Sequence, residues 1–190
     1  NHDMQRIASD PGITSERLRT AATLVTMLKG TPLIYYGQEL GMRGAPRPEY
    51  KSDEKDIGDR EAFEWSARTE AAGQAIWYKG PKTYWTERFA KDADGITNAE
   101  EHQNPASLLN HYRKLLALRR TQRAISEGGQ TVIASPPNIL AVERSRGIER
   151  LVIVANLSPK RAVYPVSGRD LLSGRRLSGD LQLKPYQATV

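Results

Sequence analysis

An amphipathic segment followed directly by a short apolar run is the feature that most constrains the fold of this chain. Apolar side chains recur within residues 14–29 at steps of three and four residues, as they do on a helix that packs on one face. They are Leu18, Ala21, Ala22, Val25 and Leu28. Thr14 or Ser15 can cap this helix, and the apolar run at residues 32–36 does not alternate, which predicts a parallel strand buried on both faces. A helix that leads into such a strand is one unit of an α/β barrel.

A second helix is predicted to begin at Asn104, because asparagine is a good N-cap and Pro105 suits the first helical position. The residues predicted on its buried side are Leu108, Leu109, Tyr112, Leu115, Leu116 and Leu118. Its final turns are predicted to hold Arg119, Arg120 and Arg123, where cations interact favourably with the helix dipole.

The pattern changes from about residue 125 onward. Short runs rich in β-branched residues are separated by polar turns at a spacing of about ten residues, which is typical of antiparallel hairpins. The runs are residues 131–134, 139–143, 151–155, 163–164 and 181–183. This part of the chain is therefore predicted to be a separate small β-sandwich.

Composition excludes several classes of protein. The chain has no cysteine, so it can form neither a disulfide framework nor a thiolate metal site, and its compartment stays open. No apolar run approaches the roughly 20 residues that span a bilayer, so we expect no membrane partner. The net charge of +6 would suit nucleic acid, but the basic residues are scattered among acidic ones and match no nucleic-acid motif. We therefore expect no nucleic-acid partner.

Two motifs carry the functional information. The chain opens with Asn1, His2 and Asp3, and residues 30–42 read GTPLIYYGQELGM. Each motif is weak alone, but in this order and at this spacing they resemble the α-amylase family of glycoside hydrolases. In that family the first motif closes the seventh strand of a (β/α)8 barrel, and the second is the eighth strand and its exit. Residues 110–119 and 151–158 also look like the final part of amylase-type enzymes.

The resemblance implies a domain organisation. Residues 1–123 would form the last two strand-helix units of the (β/α)8 barrel, with the helix after Asn104 as the eighth barrel helix. Residues 37–103 would be a long active-site loop, since loops at the C-terminal ends of barrel strands build active sites. Residues 124–190 would form an antiparallel β-sandwich domain. Single tryptophans in the loop either pack it against the barrel, which is the simpler interpretation, or stack on sugars; they are Trp65, Trp77 and Trp85.

The same resemblance gives roles to the first motif. Asp3 would be the transition-state stabiliser that grips hydroxyl groups of the sugar at the cleavage point, and His2 would bind a neighbouring hydroxyl. Without the resemblance, Asp3 would be interpreted as a turn or helix-cap residue and His2 as a hydrogen-bonded histidine at a strand end.

Arg60 lies in the segment GDREAFEW at residues 58–65, which resembles a family segment that often reads Arg-Glu-Pro-Phe-x-Trp. Ala62 replaces the usual proline. Arg60 could bind sugar hydroxyls or pair with a carboxylate at the edge of the active site, and a structural ion pair is the alternative. Glu39 follows the predicted eighth strand and corresponds to a structural residue in the family.

The family's nucleophilic Asp and acid/base Glu come from the fourth and fifth strands, which would precede Asn1. We therefore expect this chain to be inactive by itself and to need the upstream remainder of the barrel, in the same polypeptide or in a second chain. Calcium is common in the family, but its ligands would lie mostly upstream. Acidic residues within 49–61 show no recognisable coordination spacing, so no cofactor or metal ligand is assigned here.

The function implied is that of a retaining α-amylase-type glycosidase, which hydrolyses α-glucosidic bonds in starch-like glucans or maltooligosaccharides. An α-glucosidase or glucan transferase of the same family is the nearest alternative. A non-catalytic amylase-like scaffold is the alternative from another class. A free carbohydrate-binding module at residues 125–190 is a further one, although only Tyr164 and Tyr186 offer aromatic rings there.

Overall fold

The computed structural model describes residues 1–76 and 88–190. They form two compact units. The first unit comprises residues 1–13 and 34–110, and the second comprises residues 14–33 and 111–190. Trp77 and Trp85 of the predicted active-site loop lie outside the described residues.

The described helices are mostly short. The α-helices are α1 (Ser15–Met27), α2 (Asn98–His102), α3 (Leu108–Thr121) and α4 (Arg123–Glu127). Three 3-10 helices lie at Ile7–Ser9, Gln38–Leu40 and Ser52–Arg60. Over the part of the chain that the structure describes, no helix is long and apolar enough to cross a membrane.

Helix α1 confirms the prediction made for residues 14–29. The Thr14 hydroxyl oxygen accepts a hydrogen bond from the backbone N–H of Arg17 at 3.3 Å, which is the geometry of an N-cap. The helix ends at Met27, two residues before the end of the predicted range, and it buries Ala22 and Met27 completely.

The prediction of a buried strand at residues 32–36 is wrong for the described residues. The segment has no strand assignment, and Leu33 is 87% exposed. A parallel strand is defined by hydrogen bonds to its neighbours, and no described strand pairs with this segment. The Tyr36 carbonyl oxygen accepts a hydrogen bond from the Arg6 side chain, and the Tyr35 carbonyl oxygen accepts one from Gln38 N in a turn.

Helix α3 begins at Leu108, four residues later than the predicted start. The Asn104 side chain accepts a hydrogen bond from Ala106 N at 2.9 Å and so forms a turn, and Ser107 takes over the cap by accepting from Asn110 N at 3.1 Å. Three of the predicted apolar residues are buried, namely Leu109, Tyr112 and Leu115. Leu116 is exposed, and Arg123 belongs to α4.

The first unit is held together largely by side chains that bind backbone groups. Glu61 accepts hydrogen bonds from the N–H groups of Phe89 and Ala90 at 2.6 and 3.1 Å. The Asn110 amide donates to three carbonyl oxygens, those of Glu101 and His102 at the end of α2 and that of Asn104 in the turn that follows. Such bonds replace the backbone ladders that an irregular segment lacks.

The predicted antiparallel strands are confirmed in the second unit. They are β1 (Gly129–Ile133), β2 (Ile139–Arg146), β3 (Glu149–Asn156), β4 (Ala162–Pro165), β5 (Gly168–Arg169), β6 (Arg176–Leu177), β7 (Asp180–Leu183) and β8 (Ala188–Thr189). One sheet has the order β1-β2-β3-β8, and two further antiparallel pairs are β4-β7 and β5-β6. Strands β2 and β3 form a hairpin from the Ile139–Asn156 pair to the Arg146–Glu149 pair, and Gly147 turns it with φ 59°.

An apolar cluster joins the four-stranded sheet to the β4-β7 pair. Its buried members are Ile139, Ala141, Val154, Tyr164 and Leu183. The segment between β7 and β8 turns, with Gln187 N donating to the Lys184 carbonyl oxygen at 3.2 Å. The last strand is β8, which pairs Thr189 with Val154.

Candidate active site

The three residues predicted for the site converge in the first unit. A turn holds the start of the chain, where Asp3 N donates to the Asn1 side-chain oxygen at 2.9 Å. This turn presents His2 and Asp3 to the surface, with 61% and 56% of their side chains exposed. A solvent molecule or a ligand can therefore reach both groups.

Arg60, the last residue of the Ser52–Arg60 helix, reaches this turn from far along the chain. Its Nη2 atom lies 3.1 Å from Asp3 Oδ1, and its Nε atom donates to the His2 carbonyl oxygen at 3.1 Å. The same Nη2 lies 3.7 Å from Asp56 Oδ2. The Arg60 side chain thus binds the backbone of His2 and the side chain of Asp3.

Asp3 Oδ1 is the centre of the cluster. His2 Nε2 lies 3.1 Å from this oxygen, at the same distance as Arg60 Nη2. A carboxylate accepts hydrogen bonds, a guanidinium donates them, and an imidazole can do either. This combination on an open surface suits a ligand rich in hydroxyl groups, because each hydroxyl both donates and accepts.

Two residues that received no role from the sequence support this cluster. Arg6 is 5% exposed and donates to the carbonyl oxygens of Tyr36 and Asp59 at 2.6 and 3.2 Å. The Asp59 side chain is fully buried directly before Arg60. The only sequence signal for Arg6 is that it closely follows the His-Asp motif, and nothing in the sequence indicates its partners.

Close backbone contact explains Gly44 in this region. Gly44 O accepts a hydrogen bond from Arg6 N at 2.9 Å. A Cβ atom at Gly44 would lie 2.5 Å from the Gly58 carbonyl oxygen, which is too close for any other residue. The glycine therefore lets three chain segments meet beneath the site.

Buried acidic groups surround the supporting residues. Burial, followed by the nearby Asp56 carboxylate, raises the pKa of Asp59, while the Arg6 guanidinium opposes this rise. Neither carboxylate oxygen of Asp59 has a hydrogen-bond partner. Burial is also the main cause that raises the pKa of Glu64 to about 8, with Asp94 and Glu61 contributing. Burial shifts both groups toward the protonated form, and both lie beneath the surface rather than on it.

Among residues 1–76 and 88–190, no group of three or more His, Asp or Glu side chains is placed to hold a metal ion. The buried oxygen Oε2 of Glu39 has no hydrogen-bond partner, and the structural role implied for this residue stays a prediction.

The aromatic rings that are candidates for sugar binding differ in accessibility. Trp65 is largely exposed and its ring centroid lies 4.4 Å from that of Phe63, so it packs on one side and is open on the other. In the second unit Tyr164 is buried in the apolar cluster. The guanidinium of Arg17 lies 4.4 Å above the Tyr186 ring and donates to its hydroxyl at 2.8 Å. These contacts argue against a sugar platform built from the two tyrosines.

A cleft of about 360 Å³ in the second unit is also a poor candidate site. His111 borders it and places Nε2 3.1 Å from the Thr23 hydroxyl and 3.2 Å from the Arg19 carbonyl oxygen. Burial, followed by the Arg19 charge, lowers the pKa of His111 to about 4, so this imidazole is neutral near pH 7. Its polar contacts are internal, and we assign no function to the cleft.

Comparisons with known proteins identify the family of this chain. The family profile described as the α-amylase catalytic domain matches residues 1–128. The chain therefore belongs to the α-amylase family.

Several relatives are similar along most of the chain. It is 32% identical over 160 residues to α-amylase 3 of Dictyoglomus thermophilum, covering 83% of this chain and 29% of that protein. It is 28% identical over 191 residues to the oligo-1,6-glucosidase of Bacillus cereus, covering 86% of this chain and 34% of that protein. The chain thus spans roughly a third of the length of these curated relatives.

Solved structures share the fold. The trehalulose synthase of Pseudomonas mesoacidophila MX-45 matches all of this chain and 41% of its own chain, with a TM-score of 0.78 and 22% identity. An isomaltulose synthase variant from Erwinia rhapontici NX5 matches to the same extent, with a TM-score of 0.78 and 21% identity. The structural neighbours are (β/α)8-barrel enzymes.

Proposed function

We propose that this chain is the C-terminal portion of a retaining α-amylase-type glycosidase. In this proposal residues 1–123 complete the catalytic barrel and residues 124–190 form a β-sandwich domain. Asp3 stabilises the transition state, while His2 and Arg60 bind substrate. The observation that carries the proposal is the convergence of His2 and Arg60 on a single oxygen of Asp3, each at 3.1 Å.

The proposed substrate is an α-linked glucan or a maltooligosaccharide. The names of the relatives support α-glucosidic bonds, since they include an α-amylase, oligo-1,6-glucosidases and 4-α-glucanotransferases. An α-glucosidase or a glucan transferase remains the alternative, because hydrolysis and transfer differ only in the acceptor of the glycosyl-enzyme intermediate.

The mechanism assigns a limited task to this chain. A retaining glycosidase uses one carboxylate as nucleophile and one carboxylic acid as proton donor, and positive charge develops on the sugar ring. Asp3 would accept hydrogen bonds from ring hydroxyls, and these bonds would strengthen as the charge develops. Arg60 would fix the orientation of the Asp3 carboxylate and donate to a neighbouring hydroxyl oxygen. The nucleophile and the acid/base would come from the upstream part of the barrel.

Two observations support a missing upstream partner. The chain spans 29% and 34% of the two relatives reported above. The apolar segment at residues 32–36 has no strand neighbour among the described residues, and Leu33 is 87% exposed. The upstream part of the barrel, in the same polypeptide or a second chain, would cover this apolar segment.

The test is the variant Asp3→Asn in the product of the complete gene. We expect kcat on maltooligosaccharides to fall by at least about a hundredfold, because the substituted group acts mainly in the transition state. The thermal unfolding midpoint should be nearly unchanged, since Asp3 is exposed. Asp53→Asn is the matched control, because Asp53 is an exposed aspartate in the helix that carries Arg60.

A near-normal kcat for Asp3→Asn would overturn the proposal. A product that binds maltooligosaccharides without cleaving or transferring them would favour the non-catalytic amylase-like scaffold.

A further inference from the structure

We propose that Arg6, together with Tyr35 and Tyr36, is the positioning device that sets the location of Arg60 against Asp3. We call these three residues the arginine–tyrosine cradle. The inference rests on the proposed function, because it concerns how the site of that function is held in place. Among the described residues, none of these three side chains donates a hydrogen bond to Asp3, so they act through the backbone around Arg60.

The two arginines link the same two segments in opposite directions. Arg60 reaches from the Ser52–Arg60 helix to the His2 carbonyl and the Asp3 carboxylate. Arg6, three residues after Asp3, reaches back and donates from Nε to the Asp59 carbonyl oxygen at 3.2 Å. Any shift of one segment relative to the other would strain both links.

The backbone on each side of Arg60 is bound by a tyrosine of the cradle. The Tyr35 hydroxyl donates to the Asp59 carbonyl oxygen at 3.1 Å, and the Tyr36 hydroxyl donates to the Glu61 carbonyl oxygen at 2.8 Å. Burial raises the pKa of Tyr35, so its hydroxyl keeps the proton that this bond needs. The residues immediately before and after Arg60 are therefore both fixed.

Arg6 contacts both tyrosines of the cradle. Its guanidinium carbon lies 4.4 Å from the ring centroid of Tyr35 and 4.8 Å from that of Tyr36. It also donates from Nη1 to the Tyr36 carbonyl oxygen at 2.6 Å. A planar guanidinium can stack on rings and donate in several fixed directions at once, whereas a lysine ammonium offers a single point of charge.

The energetic character of Arg6 fits a positioning role. Its Nη2 atom is buried without a hydrogen-bond partner, as are both carboxylate oxygens of Asp59. Buried polar atoms without a hydrogen-bond partner reduce the free energy of unfolding. Residues that break a rule of stable packing are concentrated at functional sites, where geometry matters more than stability.

The experiment is a double-mutant cycle in the product of the complete gene, with Arg6→Lys and Arg60→Ala made singly and together. We expect Arg6→Lys to lower kcat/KM on maltooligosaccharides by about 10- to 100-fold, since small misplacements of a positioned group cost that much. In the Arg60→Ala background the same substitution should have almost no further effect, because its action passes through Arg60.

A merely structural role for Arg6 predicts another result. The Arg6→Lys substitution would then lower kcat/KM by the same factor with and without Arg60, and equal factors would overturn the inference. Arg17→Lys is the matched control, because Arg17 also stacks on a tyrosine ring and donates to a tyrosine hydroxyl, but in the second unit. We expect its kcat/KM to be unchanged.

Tyr35→Phe and Tyr36→Phe keep the inference testable if Arg6→Lys does not fold. Each removes one hydroxyl that binds the backbone beside Arg60 and leaves its ring in place. Each should lower kcat/KM by about 3- to 10-fold in the native background and by less than about twofold in the Arg60→Ala background. Normal activity in both would overturn the inference. If the two tyrosine variants are normal but Asp3→Asn is inactive, the inference fails and the proposed function stands. If Asp3→Asn is active, both the proposed function and the inference fail.

Discussion

The two units of this chain bury polar groups in opposite ways. In the first unit, buried side-chain atoms without a hydrogen-bond partner occur on Arg6, Glu39, Asp59 and Glu64. The described residues of the second unit contain no such atom. Its fully buried arginine, Arg144, donates to four carbonyl oxygens at 2.7–3.1 Å, those of Met27, Ile125, Gly128 and Gly129.

The difference teaches where each unit obtains its stability. The second unit satisfies its backbone through antiparallel ladders and packs an apolar cluster between them. The first unit has no strand among its described residues and relies on charged side chains that bind backbone groups. An unsatisfied buried polar group costs about 1–3 kcal/mol, so the first unit sacrifices stability where the candidate active site lies.

The largest change in the free energy of unfolding is expected from removing the hydrogen-bonded Arg144 guanidinium of the second unit. Arg144→Met should lower the free energy of unfolding by about 4 kcal/mol, because four buried carbonyl groups lose their donor. Denaturant unfolding of the product of the complete gene measures this. Arg150→Met is the control, since Arg150 is largely exposed and its ion pair with Glu143 at 3.8 Å is worth less than about 1 kcal/mol. A small loss for Arg144→Met would break the comparison, because it would show that Arg144 is dispensable.

A somewhat smaller loss is expected from the apolar packing of the same unit. Ile153 is fully buried in β3, and Ile153→Ala should cost about 3 kcal/mol through lost contacts and a residual cavity. Val132→Ala in β1 provides the control, because Val132 is mostly exposed and should change stability by less than about 0.5 kcal/mol. Equal effects of the two substitutions would mean that the sheet is not stabilised by the buried face described here.

The smallest predicted change in the free energy of unfolding is in the first unit, and it is a gain rather than a loss. Burial raises the pKa of Glu64 to about 8 from an ordinary value of 4.5. Between these values the folded state holds a proton that the unfolded state has released, so stability falls as the pH rises. Glu64→Gln cannot ionise and should be more stable than the native protein by about 2 kcal/mol at pH 8.5, with little difference near pH 4.5.

Thermal or denaturant unfolding across this pH range measures the change. Glu54→Gln is the control, because Glu54 is exposed in the same unit, and its substitution should change the free energy of unfolding by less than about 0.5 kcal/mol. If Glu64→Gln destabilised the protein at every pH, its carboxylate would have to be a satisfied group, and the contrast between the two units would be lost.

The sequence by itself determined the features that depend on neighbouring residues. The cap of α1 at Thr14 follows from one side chain and the N–H three residues later, and the β2-β3 hairpin follows from two apolar runs around a short turn. The His-Asp motif and the run at residues 30–42 also indicated the family, because they are local patterns of residue type. Short-range signals of this kind are written directly in the order of residues.

Only the tertiary structure decided the features that join distant segments. Arg60 meets Asp3 across 57 positions, and Arg6 binds the Asp59 carbonyl across 53. Helix α3 begins at Leu108 rather than after Asn104, because the Asn104 side chain binds a turn and Ser107 caps the helix instead. The predicted strand at residues 32–36 does not pair with any described strand. Hydrogen bonds between remote groups depend on the path of the whole chain, so residue types alone could nominate Arg60 but not its partner.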